Sequence, residues 1–161
     1  MSPYGLSADL GISQKDAKDY IESYFSHYPG VKVFINGIIK KTREIGYVTT
    51  ILNRRRYIPE INAGDVSTRE LGERFAVNTP IQGTASDIIK MAMINIHRKF
   101  MDEKLVSRML LQIHDELIFE VNHEEMHLVN DIVKEGMESV VRLNVPLKVD
   151  LREGGNWEEV S

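Results

Sequence analysis

The sequence predicts an α+β fold in which long helices pack on a small antiparallel sheet. Helical spacing of apolar residues runs through most of the chain, and two short β-prone runs flank polar turns at Asn53-Arg54 and at His114-Asp115-Glu116. The second half reads helix, two strands, helix, strand.

The elements follow in order. A short helix is expected around residues 7–10. Ser13 with Asp16 forms a capping-box pattern that opens a helix to about Tyr28, where Pro29-Gly30 stops it. An amphipathic helix over 31–45 ends at Gly46, a natural C-cap. "YVTTILNRRRYIP" reads as a hairpin with a basic turn, closed by Pro59. Ser67 with Glu70 suggests a second capping box for the longest helix, which continues to about Phe100 with a kink expected at Pro80 and Gly83. Runs at 108–113 and 117–121 form a tight hairpin with His114, Asp115 and Glu116 at or beside its turn. Asn122 with Glu125 caps a helix to about Arg142, and 145–151 is expected to be a final strand with Pro146 at its start.

A chain of 161 residues is long enough for one ordinary domain or two small ones. No apolar run approaches the roughly 18 residues that cross a bilayer, so no membrane partner and a cytoplasmic address are expected. Cysteine is absent, which excludes disulfides and thiolate metal sites and leaves oxygen or imidazole as metal ligands. The net charge of -4 hides a segregation. Between residues 31 and 60, Lys32, Lys40, Lys41, Arg43, Arg54, Arg55 and Arg56 face only Glu44 and Glu60, whereas acids dominate after Met101. An acidic cluster beside a basic surface suits a site that holds cations next to a polyanion.

Three constellations could carry chemistry. In "ERFAVNTPIQGTASDIIK", Arg74, Asn78 and Gln82 recur every four residues and form one polar stripe on a helix, opposite apolar contacts from Phe75, Ala76, Ile88, Ile89 and Ala92. All three donate hydrogen bonds, and every base pair offers minor-groove acceptors, so the stripe could grip a duplex without reading its sequence. Alone, it reads more readily as a solvated helix face with an Arg that caps a neighbouring carbonyl. Carboxylates at a rigid hairpin tip suit magnesium, which is held by one or two of them plus substrate phosphates, although Asp-Glu at a turn is also ordinary turn chemistry. "HEEMH" matches the zinc-protease pattern, with His123 and His127 as ligands, Glu124 as base and Glu138 as third ligand, but it falls in a helix's first turn, where acids complement the dipole.

Taken together, these residues resemble the C-terminal part of the polymerase domain of bacterial family A DNA polymerases. "ERFAVNTPIQGTASDIIK" is similar to that family's long palm helix, "LLQIHDELIFEV" to its third catalytic motif, and "RRRYIP" and "GGNW" fall in the expected order. "MSPYGLSADLGIS" resembles the segment after the nucleotide-binding helix of the fingers. The resemblance covers essentially the whole chain.

It implies template-directed addition of deoxynucleotides to a primer 3′ end by a two-metal mechanism, with primer–template DNA and deoxynucleoside triphosphates as partners. Residues 1–66 would belong to the fingers and 67–161 to part of the palm, placing the architecture as helical fingers with a basic β-hairpin, then a partial palm sheet that includes the last strand. Asp115 would ligate magnesium, Glu116 would be an auxiliary acid near the metals, and His114 would contact the primer terminus. Arg74, Asn78 and Gln82 would lie in the minor groove, Arg54, Arg55 and Arg56 near the template backbone, and Ser2 and Tyr4 beside the templating base. The family's first catalytic motif and the fingers helix that grips the triphosphate have no counterpart among these residues. The two-ion magnesium site would then be incomplete, the isolated chain inactive without the N-terminal part of the polymerase, and an exposed sheet face open to homodimerisation. The address would be the bacterial cytoplasm at the nucleoid. The alternatives are a stand-alone DNA-binding module without catalysis and the zinc metalloprotease.

Overall fold

The computed structural model describes residues 2–159. The chain divides into two compact units, one made of residues up to Thr49 together with Arg55–Pro80, the other of Thr50–Arg54 and the residues from Ile81 onward.

In the first unit, α1 spans Pro3–Leu10, α2 Gln14–His27 and α3 Pro29–Ile45. Each start has a local cause. The Ser2 hydroxyl accepts from the Gly5 amide at 3.1 Å, and the Ser13 hydroxyl from the Asp16 amide at 3.1 Å, which satisfies amides the helix itself leaves bare. Pro29 does not merely end α2; it opens α3 at a first-turn position where its missing N–H costs nothing. Gly46 closes α3 in the left-handed region at φ 78°, its amide donating to the Thr42 carbonyl at 2.7 Å. Strands β1 (Tyr47–Thr49) and β2 (Arg55–Tyr57) pair antiparallel, with Val48 opposite Arg56. A single 3-10 turn, Pro59–Asn62, leads to α4, Val66–Asp102.

The first core gathers Val48, Ile58, Ile61 and Ala76, with Ile38 and Phe75 packed against it. Gly72 makes this packing close: a Cβ there would lie 2.6 Å from the Ile61 amide nitrogen. Asp65, not Ser67, caps α4, accepting from the Thr68 amide at 2.7 Å. The expected capping box is displaced because an ionised Asp two residues earlier reaches the third helical amide directly. Pro80 and Gly83 lie within α4 without ending it.

In the second unit, Ala92, Ile96 and Phe100 of α4 pack on Val129, Ile132 and Val133 of α5 (Met126–Glu138). β3 (Arg108–Ile113) and β4 (Glu116–Glu120) form an antiparallel hairpin that adds Met109, Leu117 and Phe119 to this core. The pairing shifts register between Met109 and Leu111, so Leu110 is a bulge residue and is exposed. Lys104, at φ 56°, ends α4, with the Leu105 amide closing back on the Phe100 carbonyl at 3.0 Å.

Three further expectations need correction. Residues 145–151 form no strand: the Val149 amide donates to Glu138 Oε1 at 3.1 Å, and the sheet stays two-stranded. A strand exists only through a ladder partner, and Pro146 cannot donate to one. α5 ends at Glu138, four residues short of Arg142, where the Ser139 hydroxyl folds back on the Glu135 carbonyl at 2.6 Å. Glu125 does not close a capping box with Asn122. Its carboxylate accepts from the Val106 and Ser107 amides at 3.0 and 2.9 Å and from the Ser107 hydroxyl at 2.5 Å, while that hydroxyl accepts from the Asn122 amide at 2.9 Å. One carboxylate thereby ties both strands at the root of the hairpin to the start of α5.

Among the described residues no helix is long and apolar enough to cross a membrane.

Candidate metal and nucleic-acid site

The β3–β4 turn holds two residues, His114 and Asp115, between the paired Ile113 and Glu116. His114 has φ 51°, a left-handed conformation that costs a residue with a Cβ about 1 kcal/mol or more. Gln112 Nε2 supports it by donating to the His114 carbonyl at 2.7 Å. The turn therefore ends in three exposed polar side chains, His114, Asp115 and Glu116, and none of them makes a hydrogen bond or ion pair among the described residues. A non-glycine residue held in the left-handed region beside two unengaged carboxylates makes this turn a candidate for ligand contact. His114→Gly is expected to raise the stability of the chain by about 1 kcal/mol in urea unfolding, since glycine adopts this φ freely.

No group of three or more His, Asp or Glu side chains that could hold a metal ion exists among the described residues. Asp115 and Glu116 fit the lesser demand of magnesium, which accepts one or two carboxylates and fills its remaining positions with water and phosphate oxygens. The zinc-protease trio fails on geometry. His123 sits in a 3-10 turn and His127 in α5, and Glu138 is engaged with the Val149 amide instead.

On α4, Arg74, Asn78 and Gln82 are all exposed, whereas Gly72, Ala76 and Thr79 on the other side are buried. None of these three side chains has a hydrogen-bond partner among the described residues. Of the apolar positions expected behind them, Ala76, Ile89 and Ala92 are buried and Phe75 and Ile88 half-buried. Near the start of the chain the Ser2 hydroxyl serves as the α1 cap, and Tyr4 is exposed.

The three arginines of the basic hairpin differ. Arg55 lies over the Tyr47 ring, 4.9 Å from its centre. Arg56 lies 4.4 Å over the Phe75 ring and donates from Nη1 to Thr79 Oγ1 at 3.1 Å. Arg54 donates from Nε to Asp87 Oδ1 at 2.6 Å, and Thr50 Oγ1 donates to Asp87 Oδ2 at 2.7 Å. Asp87 lies within α4 and is absent from the three constellations that the sequence offers. The signal was there in an acid set directly before Ile88-Ile89 on a buried helix face.

Three carboxyl groups are held below the ordinary carboxylate range: Asp65 by the Thr68 amide, Asp87 by the Thr50 hydroxyl and then Arg54 against the opposing effect of burial, and Glu125 by the Ser107 hydroxyl and the Val106 amide. A depressed folded value means that each contribution to stability is complete above the unfolded value, about pH 4, and is lost as pH falls through the lower folded value. The urea midpoint is expected to be flat from about pH 7 to 5 and to drop below about pH 4, with a smaller drop in Glu125→Gln.

Residues 1–159 match the family described as DNA polymerase family A. The chain is 49% identical over 157 residues to DNA polymerase I of Bacillus caldotenax, covering 98% of this chain and 18% of that protein. It is 46% identical over 159 residues to DNA polymerase I of Lactococcus lactis subsp. cremoris, again 18% of that protein's length. The solved POL domain of Pol1 from M. smegmatis, in complex with DNA primer-template and dNTP, superposes with a TM-score of 0.89 at 45% identity, covering 91% of this chain and 26% of that one. The chain thus spans 18% of the length of these curated relatives. With the family matched across nearly every residue and relatives close to half identical, the chain belongs to DNA polymerase family A.

Proposed function

We propose that these residues form the part of a DNA-directed DNA polymerase that carries one carboxylate turn of its metal site and a grip on the primer–template duplex. The observation that carries this reading is the exposed His114-Asp115-Glu116 tip, in the left-handed region at His114 and with three side chains that have no partner among the described residues, in a chain of this family. Asp115 supplies a magnesium ligand, Glu116 an auxiliary acid beside it, and His114 a contact to the primer terminus. Magnesium, when bound there with the triphosphate, stabilises the charge that develops as the primer hydroxyl displaces pyrophosphate. Arg74, Asn78 and Gln82 donate to minor-groove acceptors, the arginines Arg54, Arg55 and Arg56 meet the template backbone, and Ser2 and Tyr4 border the templating base. Residues 1–66 act as fingers and 67–161 as palm, in the bacterial cytoplasm.

Synthesis by this reading needs residues from the rest of the polymerase. The test is a chimera in which these 161 residues replace the corresponding segment of the B. caldotenax polymerase. Magnesium-dependent primer extension is expected from the chimera, and none from the chain by itself. A folded chimera that binds primer–template but never extends it would refute the assignment.

A further inference from the structure

We propose that Asp87 is a positioning residue that holds the Arg54 guanidinium ready to grip one phosphate of the DNA backbone. The inference rests on the reading of the chain as a DNA-binding polymerase part and deepens it by singling out one arginine and its orienting acid.

Asp87 is only 2% exposed, in the middle of α4. A buried carboxylate is tolerated only with partners, and here both oxygens have one, the Thr50 hydroxyl at 2.7 Å and Arg54 Nε at 2.6 Å. The pair is unlike an ordinary surface ion pair, because the arginine side chain is 65% exposed while its acid is 2% exposed. One end of the guanidinium is fixed from within, and its terminal nitrogens, which have no partner among the described residues, remain in water.

The backbone that carries Arg54 is fixed as well. The Thr50 amide donates to the Arg54 carbonyl at 3.0 Å and the Arg54 amide to Thr50 Oγ1 at 3.2 Å. The Ile51 amide donates to Thr84 Oγ1 of α4 at 3.1 Å, and Asn53 takes the left-handed turn at φ 62°. A guanidinium held through Nε presents its remaining donors in a fixed plane, which suits two parallel hydrogen bonds to a phosphate and spares most of the ordering cost of binding. Arg56 has already spent Nη1 on Thr79, and both Arg55 and Arg56 lie over aromatic rings.

The experiment is fluorescence anisotropy of a labelled primer–template duplex with the whole chain across a salt series. Arg54→Gln is expected to weaken binding about tenfold and to reduce the log–log salt slope by about one phosphate contact. Arg54→Lys keeps the charge but has no Nε to be held, so it should weaken binding with little change in slope. Asp87→Asn separates positioning from charge. Removing a negative charge would by itself tighten binding to DNA, whereas loss of the orienting acid weakens it about threefold with the slope retained. If Asp87→Asn does not fold, the exposed Arg54 variants decide. Binding that is unchanged in Arg54→Gln and Arg54→Lys, or tightened in Asp87→Asn, would overturn the proposal and leave Asp87 as a loop clamp. If the unsubstituted chain binds no duplex even at low salt, the polymerase reading of this surface falls with it.

Discussion

Asp115→Ala in the chimeric polymerase is expected to slow single-turnover nucleotide addition about a thousandfold, while leaving the fold and duplex affinity nearly unchanged. The two halves of this expectation have separate causes. Asp115 is exposed and has no partner among the described residues, so its removal should change stability by no more than about 0.5 kcal/mol. A metal ligand at the reacting phosphate acts mainly in the transition state, where losing about 4 kcal/mol of charge stabilisation is a thousandfold in rate. Glu116→Ala should cost less, since the proposal makes Glu116 an auxiliary acid beside the metal and not its principal ligand. Rapid-quench incorporation of one nucleotide, with thermal unfolding measured in parallel, checks both halves. An Asp115→Ala loss that tracked unfolding would point to a structural turn residue instead.

The second large effect lies in the first core. Gly72→Ala should destabilise the chain by about 3 kcal/mol, near the upper end of what overpacking costs. The added Cβ would lie 2.6 Å from the Ile61 amide nitrogen, 2.7 Å from the Glu60 carbonyl carbon and 2.8 Å from the Ile61 Cα. These are backbone atoms and cannot swing aside as a flexible side chain would, so the 3-10 turn must move off α4 or the helix must shift. Gly64→Ala is the control, because a Cβ there meets nothing within 4 Å. Urea unfolding of the two variants should separate them by most of that difference. Equal midpoints would show that the turn yields more easily than its packing implies.

Much of this was legible in the sequence because the signals were local. Ser13 with Asp16, Gly46 and the alternation on each side of His114-Asp115 set boundaries within two residues of those observed. The shared exposure of Arg74, Asn78 and Gln82 followed from spacing alone, since exposure on a helix is a matter of period. What escaped depended on partners far along the chain. Asp87 is answered by Thr50 and Arg54 more than thirty residues earlier, and Glu125 by Val106 and Ser107, so local pattern reads the first as a helix residue and the second as half of a cap. The stretch 145–151 failed for a related reason: its β-prone composition was visible, but composition does not supply a neighbour to bond to.

The most direct measurement is metal rescue at the hairpin tip. Asp115→Cys in the chimeric polymerase exchanges a hard carboxylate for a soft thiolate, which magnesium binds poorly and manganese or cadmium accept. Single-nucleotide addition should be nearly absent in magnesium and recover at least about tenfold when manganese or cadmium replaces it, with no such gain in Asp115→Ala. Full activity of Asp115→Cys in magnesium, or equal gains in the cysteine and alanine variants, would contradict the assignment of Asp115 as a metal ligand.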